Sequence, residues 1–286
     1  MSKHTPSITQ AITQKRVAAF LKPRPRDSHK GLFGKVIVIG GASGMVGAAL
    51  LAGRAALKLG AGCVHVGLLA DNAPVVDTVQ PELMLHRAED ALRLPKPSAF
   101  AIGCGMGTSI TAQKLLHNAL RLNTALVLDA DALNLIARHP DLQDDLRTRR
   151  AASVITPHPA EAARLLDIST AEVQAARNEA AQQLSEKLHC TVVLKGAGSV
   201  CVTRDGKTYL NKTGNPGMSA PGMGDVLTGM VAAFIAQGLD ADQALLLAVH
   251  LHGAAGDALA EKGVAVGMTA TELTEWVRWL INQWAN

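Results

Sequence analysis

Short runs of β-branched and apolar residues recur along this 286-residue chain, and glycine bounds most of them. Between these runs, apolar residues recur every three or four positions, as they do on one face of a helix. This alternation predicts βαβ units and a largely parallel sheet. The predicted strands are 36–39, 64–68, 100–103, 126–129, 154–156 and 191–194, and the predicted intervening helices are 45–59, 111–122, 171–188 and 225–237.

The pattern changes near residue 199. Apolar runs at 199–203 and 207–210 flank Asp205 and Gly206, and Asp-Gly between two such runs indicates a hairpin. After Asp240 the pattern is helical to the end of the chain. We therefore predict an α/β fold with a central, mostly parallel sheet, helices on both faces and an antiparallel hairpin near residues 199–212. No repeat or linker interrupts the pattern, so we expect a single domain over residues 1–286, with residues 1–28 as a lead-in segment.

Composition narrows the class of partner. Aromatic residues make up only 3% of the chain, and the formal net charge is +4 at pH 7. Proteins that bind nucleic acids usually combine a dense basic stripe with stacking aromatics, so we expect no nucleic-acid partner. A mildly basic surface is compatible with a phosphorylated small molecule.

The hydropathy of the chain indicates where the protein is located, and the spacing of its cysteines indicates their role. No apolar stretch approaches the roughly 18 residues of a membrane span, and the N-terminus lacks the apolar core of a signal peptide. We therefore expect a cytoplasmic protein without membrane contact.

The four cysteines lie far apart, without C-x-x-C spacing, so we interpret them as small buried side chains rather than metal ligands or disulfides.

The strongest chemical motif is N-P-G-M-S-A-P-G-M-G-D-V-L-T-G at residues 215–229. Its glycines Gly217, Gly222 and Gly224 allow unusual backbone conformations, and it leads directly into an apolar helix. The free backbone amides at a helix start favour a bound phosphate. Asp225 at the same place is either the N-cap of the helix or a general base beside that anion, and the whole segment favours the second interpretation.

Four other glycine-rich or polar clusters also follow predicted strands, and carboxyl ends of parallel strands meet at one edge of a sheet. The clusters are G-G-A-S-G-M-V-G at 40–47, G-C-G-M-G at 103–107, T-P-H-P-A-E at 156–161 and K-G-A-G-S at 195–199. The first is a poor dinucleotide fingerprint, because Ala42 stands where that pattern needs its second glycine. We expect all of these clusters to converge on one ligand site.

Individual side chains in these clusters suggest roles. Lys195 can reach a phosphate as a point charge. His158 lies between two prolines, which stiffen the backbone and aim the ring at a substrate, although a lone histidine is more often structural. Asp129 and Asp131 end a predicted strand, where they either hold a hydrated Mg²⁺ or fix a loop, and both interpretations remain open.

Taken in chain order, these segments resemble the ADP/ATP-dependent NAD(P)H-hydrate dehydratases, a carbohydrate-kinase-like family also known as the YjeF C-terminal domain. The most specific pieces are T-P-H-P-A-E, L-K-G-A-G-S and N-K-T-G-N-P-G-M-S-A-P-G-M-G-D-V-L-T-G, and the resemblance runs from about His29 to the C-terminal helices. It implies a ribokinase-like fold and a repair reaction. Hydrated NADH or NADPH, called (S)-NADHX and (S)-NADPHX, is dehydrated at the expense of ADP or ATP in the presence of Mg²⁺.

The resemblance also implies roles for particular residues. Asp225 would deprotonate the hydroxyl of the hydrate, which then attacks the terminal phosphate of the nucleotide, while Gly222, Met223 and Gly224 stabilise the transferring charge. Residues implied to hold the nucleotide are Lys195, Gly196, Ala197, Gly198, Ser199 and Gly224. Residues implied to contact the hydrate are Ala48, Gly105, Gly107, His158 and Asp225. No residue is assigned as a protein ligand of a metal, and Met223 stands where many members have threonine.

Bacterial-type members of the family look ADP-dependent, so the resemblance implies that ADP is the phosphate donor and that AMP is left as a product. Many relatives carry an N-terminal epimerase, whereas only 30 residues precede Gly31 here. The resemblance therefore implies a dehydratase alone, a separate NAD(P)HX epimerase as functional partner, and a homo-oligomer, with a tetramer as one candidate state.

Two other functions remain open from the sequence. A small-molecule hydroxyl kinase of the ribokinase superfamily, acting on a hydroxymethylpyrimidine or a thiazole alcohol, would keep Asp225 and the anion-binding helix start but release a stable phosphate ester. A non-catalytic nucleotide-binding module would not need Asp225.

Overall fold

The computed structural model describes residues 9–285, so residues 1–8 of the predicted lead-in segment lie outside the described residues. Within them the strands are β1 (Gln10–Ala11), β2 (Lys35–Gly40), β3 (Cys63–Leu68), β4 (Met84–Arg87), β5 (Ala99–Ile102), β6 (Ala125–Leu128), β7 (Ser153–Ile155), β8 (Thr191–Leu194), β9 (Val200–Val202) and β10 (Thr208–Leu210). They form one 10-stranded sheet in the order β1-β10-β9-β8-β7-β6-β5-β2-β3-β4.

The helices of residues 9–285 lie between and after these strands. They are α1 (Gln14–Ala18), α2 (Val46–Lys58), α3 (Ala88–Leu92), α4 (Ile110–Leu120), α5 (Ala130–Arg138), α6 (Pro140–Arg147), α7 (Pro159–Leu166), α8 (Thr170–Ala175), α9 (Arg177–Leu188), α10 (Met223–Ala236), α11 (Ala241–Glu261) and α12 (Ala270–Trp284). Across the same residues, no helix combines the length and the hydropathy needed to cross a bilayer.

The sheet confirms the predicted parallel strands and the hairpin. The strands from β4 to β8 pair in parallel, whereas β8 with β9 and β9 with β10 are antiparallel. The sequence pattern did not predict two edge strands, β1 and β4. β1 has only two residues, and β4 carries the half-exposed sequence M-L-H-R, so neither shows the apolar run of a buried strand.

Several helix predictions need correction. The predicted helix 171–188 is wrong as one element, because the backbone of Ala176 leaves the helical region at φ −138° and separates α8 from α9. The chain after Asp240 is not continuously helical either, since residues 262–269 separate α11 from α12. Helix α10 begins at Met223, two residues before the predicted start. α7 was missed although Pro159 is its first residue, a position where proline favours a helix start.

Two hydrophobic layers cover the sheet, and β2 shows how one strand serves both. Val36 and Val38 pack with α2, α10, α11 and α12 on one face, while Ile37 and Ile39 pack with the helices from α3 to α9 on the other. Successive side chains of a strand point to opposite faces, so a strand buried on both sides is apolar throughout. This explains why the central strands could be predicted from short apolar runs.

Helix α10 is buried almost all round, and it packs closely against α2. A Cβ atom at Gly229 would lie 2.1 Å from the carbonyl oxygen of Ala52. Only a residue without a side chain allows this approach. The N-terminus of α10 is thereby held at the carboxyl edge of the sheet by the core of the protein.

We expect Gly229→Ala to destabilise the protein by about 1–3 kcal/mol, because the added methyl group forces α10 away from α2. Gly47→Ala is the matched control. No atom lies within 4 Å of a Cβ built at this helical glycine, so the substitution should be neutral or stabilise by up to about 1 kcal/mol. Chemical denaturation of both variants measures the difference, and equal stability would contradict the proposed packing constraint.

Candidate active site

The glycine-rich loops after β2 and β5 stack directly on each other at the carboxyl edge of the sheet. Gly41 N donates to Cys104 O at 3.0 Å, and Ala42 N donates to Gly105 O at 2.7 Å. A Cβ at Gly105 would lie 3.1 Å from the Cβ of Ala48, the predicted substrate contact at the start of α2. The predicted convergence of these loops is therefore confirmed.

The start of α10 provides the expected group of free amides. Gly222 is the N-cap in a left-handed conformation with φ 88°, and no side chain caps the helix. Among residues 9–285, the N–H groups of Met223, Gly224 and Asp225 have no protein acceptor. Because Asp225 lies inside the first turn, the alternative that it is the N-cap is wrong. The helix therefore presents unpaired donors and a carboxylate at one end.

An ion pair between the buried Asp129 and the partly exposed Lys195 lies beside this helix start. Lys195 Nζ contacts Asp129 Oδ1 at 2.7 Å, and Thr228 Oγ1 donates to Asp129 Oδ2 at 2.9 Å. Burial alone would raise the pKa of Asp129, but the Lys195 ammonium and these hydrogen bonds lower it. A Cβ at Gly224 would lie 3.2 Å from Lys195 Nζ, so the ion pair lies directly against the first turn of α10.

Asp225 is the candidate general base. Burial, the nearby carboxylate of Asp129 and, less strongly, that of Asp131 raise its pKa to about 6, while a hydrogen bond from Cys104 and the charge of Lys195 act in the opposite direction. The ligand-type atoms of Cys104, Asp129 and Asp225 all lie within 4.8 Å of one another. A carboxyl group with this pKa is a stronger proton acceptor than an ordinary aspartate and remains mostly ionised at pH 7.

The two carboxylates of D-A-D have different roles, and Asp131 fixes a loop. Its Oδ2 accepts the N–H of Gly107 at 2.8 Å, and its Oδ1 accepts from Asn134. Ala130 between them has φ 48°, a left-handed conformation that is uncommon outside glycine and directs the two carboxylates to different partners. For Asp131, these contacts support the loop-fixing interpretation.

His158 already has a structural role. Its Nδ1 accepts the N–H of Ala160 at 3.1 Å, and Glu161 reaches back to the N–H of His158 at 2.8 Å, so the two residues form a capping box for α7. Burial and the charge of Lys195 lower the pKa of His158. The side chain is 48% exposed, which leaves its ring accessible to a substrate.

A cavity of about 450 Å³ opens beside α10 and contains the predicted nucleotide residues. Its lining includes Lys195, Gly196, Ala197, Gly198, Ser199, Met223, Gly224 and His252. Burial lowers the pKa of His252 to about 4, and its Nε2 lies 3.0 Å from Met223 O, so this ring is neutral at pH 7. The predicted hydrate residues Ala48, Gly105, Gly107, His158 and Asp225 do not line this cavity, and neither does Gly222.

Sequence reasoning missed several residues of this site. Cys104 was interpreted only as a small buried side chain, and its burial is confirmed, but its thiol also reaches Asp225. Thr228 carried one weak signal, a hydroxyl inside an otherwise apolar helix. Arg177 contacts the loop after β8 and carried no signal, because the helix break that places it was not predicted.

A solved structure shows the structural class of the chain. A ribokinase-like superfamily protein from Enterococcus faecalis superposes with a TM-score of 0.85 at 28% identity, covering all of this chain (100%) and 99% of the other. This likeness shows a ribokinase-like α/β fold.

The chain belongs to the NAD(P)H-hydrate dehydratase family, whose pattern it matches over residues 36–278. It is 40% identical to the ADP-dependent (S)-NAD(P)H-hydrate dehydratase of Neisseria meningitidis, covering 95% of this chain and 93% of that protein. The crystal structure of the ADP/ATP-dependent NAD(P)H-hydrate dehydratase from Bacillus subtilis, co-crystallised with ATP/Mg²⁺, superposes with a TM-score of 0.86 at 30% identity. That superposition covers 97% of this chain and 99% of the other.

Longer relatives also match. The chain spans about half the length of the bifunctional NAD(P)H-hydrate repair enzymes that it resembles. In the Coxiella burnetii protein, at 41% identity, the match covers 96% of this chain and 56% of the relative.

We expect Asp225 to titrate near pH 6, as followed by NMR of ¹³C-labelled aspartate carboxyl groups. In Cys104→Ala the midpoint should move to higher pH, because the S–H donor that stabilises the ionised carboxylate is lost. Cys104→Ser retains a donor and should titrate close to the unmodified protein. A midpoint that is unchanged or lower in Cys104→Ala would contradict the hydrogen bond.

Proposed function

We propose that this chain is an ADP-dependent (S)-NAD(P)H-hydrate dehydratase, which converts (S)-NADHX and (S)-NADPHX to NADH and NADPH and converts ADP to AMP and phosphate. The observation that carries the proposal is the Asp225 carboxylate, with its pKa raised to about 6, at a helix start with unpaired amides beside the cavity. The names of the Neisseria and Bacillus relatives support the substrate and the nucleotide.

In the proposed reaction, Asp225 takes the proton of the hydrate's hydroxyl group. The hydroxyl oxygen then bonds to the terminal phosphorus of ADP, and the bond from that phosphorus to the bridging oxygen breaks, which releases AMP. The phosphate ester next leaves with its carbon–oxygen bonding electrons, and loss of a proton from the neighbouring carbon restores the ring double bond.

The amides of Gly222, Met223 and Gly224 are proposed to stabilise the charge on the transferring phosphoryl group. They belong to the N-cap and first turn of α10, where neither side chains nor backbone carbonyls of residues 9–285 accept from them. Donors fixed before the reaction need no reorganisation when negative charge develops. The helix dipole adds to the same effect.

The nucleotide is proposed to lie in the cavity against Lys195, Gly196, Ala197, Gly198, Ser199 and Gly224. Lys195 gives one hydrogen bond to Asp129, and its ammonium carries three donors, so two remain for phosphate oxygens. The close approach of Gly224 to Lys195 brings the ammonium and the α10 amides to the same region. This supports binding of the phosphates there.

The hydrate is proposed to contact Ala48, Gly105, Gly107 and His158 on the other side of Asp225. Gly105 packs against Ala48, and the intervening Cys104 joins this loop to the Asp225 carboxylate. A hydroxyl group bound over Gly105 would therefore lie near the base. The cavity on the nucleotide side includes neither these residues nor Asp225, which supports separate binding regions for the hydrate and the nucleotide.

Mg²⁺ fits this site best as an ion carried by the nucleotide. Both oxygens of Asp129 accept from protein donors, and so do both oxygens of Asp131. Mg²⁺ retains waters and is commonly held by phosphates with one or two carboxylates. It would supply positive charge to the phosphates, which is consistent with the ATP/Mg²⁺ of the Bacillus subtilis crystals. The homo-oligomeric state and the separate epimerase stay predictions.

We expect Asp225→Asn to reduce turnover by several orders of magnitude, because the amide cannot accept the hydroxyl proton. Appearance of reduced nicotinamide absorbance from NADPH hydrate, Mg²⁺ and either ADP or ATP measures the rate and identifies the donor. Calorimetric ADP binding is the control and should change little. Retained turnover would contradict the role of Asp225, and a stable phosphate ester as product would instead favour a kinase.

We expect His158→Ala and His158→Asn to separate capping from substrate binding. Asparagine caps helices well, so His158→Asn should retain the melting temperature while alanine lowers it. If the ring contacts the hydrate, both variants raise the KM for the hydrate more than the KM for ADP. A KM that rises only in His158→Ala would show that the ring acts through α7 alone.

A further inference from the structure

The loop Lys195–Ser199 is held from behind by one side chain. Arg177 Nη2 donates to the carbonyl oxygens of Leu194 at 3.1 Å, Lys195 at 3.3 Å and Gly198 at 3.2 Å. Three carbonyl groups of a tight turn therefore converge on one cation. The loop lines the cavity, whereas Arg177 does not.

This contact decides the direction of the loop amides. In a trans peptide the C=O and the N–H of one unit point in opposite directions. Carbonyls of Lys195 and Gly198 that face Arg177 therefore turn the N–H groups of Gly196 and Ser199 away from it. Among residues 9–285, the N–H groups of residues 196–199 donate to no protein acceptor.

The loop sequence accommodates the guanidinium. Gly196 has φ 139°, and a Cβ at this position would lie 2.9 Å from Arg177 Nη1. A side chain there would displace the arginine. The backbone break at Ala176 starts a new helix at Arg177, and Gln174 Oε1 accepts from Nη1 at 3.2 Å, which fixes the side chain across the gap.

We propose that Arg177 is a positioning residue that turns the backbone amides of the Lys195–Ser199 loop toward the phosphates of the bound nucleotide. This proposal rests on the proposed function, because it assigns the loop to binding of the nucleotide. Its contribution depends on both ends of the planar guanidinium, because Nη2 donates to the loop carbonyls while Nη1 donates to Gln174 Oε1, and a lysine ammonium offers no such fixed fork.

The test compares Arg177→Met, Arg177→Lys and the control Arg147→Met, whose arginine lies on the surface in an ion pair with Asp144. Calorimetry with ADP alone, well below the melting temperature, should show a Kd raised about tenfold or more in Arg177→Met. Arg177→Lys should be intermediate, and Arg147→Met should stay within twofold. In turnover assays the KM for ADP should rise more than kcat falls, with the KM for the hydrate unchanged.

Chemical rescue provides a readout that a merely structural role would not move. In Arg177→Ala, millimolar guanidinium chloride should recover part of the ADP affinity, while the same concentration of sodium chloride should not. Unchanged ADP affinity in Arg177→Met, or equal weakening of ADP and hydrate, would overturn the proposal. A protein that binds ADP but does not dehydrate the hydrate would instead contradict the proposed function and leave the Arg177 measurement valid.

Discussion

The ion pair between the buried Asp129 carboxylate and the partly exposed Lys195 ammonium holds the site together. Asp129 follows β6, Lys195 follows β8, and Thr228 from α10 satisfies the second carboxylate oxygen. Removal of Lys195 would leave the charge of the buried Asp129 carboxylate uncompensated. The pair therefore fixes the positions of two strand ends and one helix relative to one another. Its carboxylate raises the pKa of Asp225 while its ammonium lowers it, so structure and acidity depend on the same two groups.

Small residues allow the elements of the site to pack closely. Gly229 lets α10 lie against α2, and Gly224 leaves room for the Lys195 ammonium at the first turn. The helix that carries Asp225 is consequently part of the core rather than an exposed element. Groups held on buried helices and strands keep their geometry better than groups on free loops, which favours a preorganised site.

The sequence predicted those parts of the fold that local patterns determine. Central strands appear as apolar runs, and glycine-rich clusters mark their carboxyl ends, so the convergence around Asp225 could be expected. Contacts between residues that lie far apart in the chain could not be predicted. Nothing near Lys195 in the chain indicates that it binds Asp129, 66 residues earlier. The role of Arg177 depends on a helix break at Ala176, where the sequence retains helical period. Both depend on tertiary contacts, which local propensity does not contain.

In the proposed reaction, the two sets of free amides would also affect the ionisation of Asp225. With a pKa of about 6, Asp225 is ionised by about ten to one at pH 7, which suits a general base. An arriving polyphosphate adds negative charge beside this carboxylate and would raise its pKa further. In the proposed complex, the amides of α10, those of the loop that Arg177 holds, and the Lys195 ammonium would offset that charge. These groups would then serve the proposed base as well as the nucleotide, because they would keep Asp225 ionised when ADP is bound.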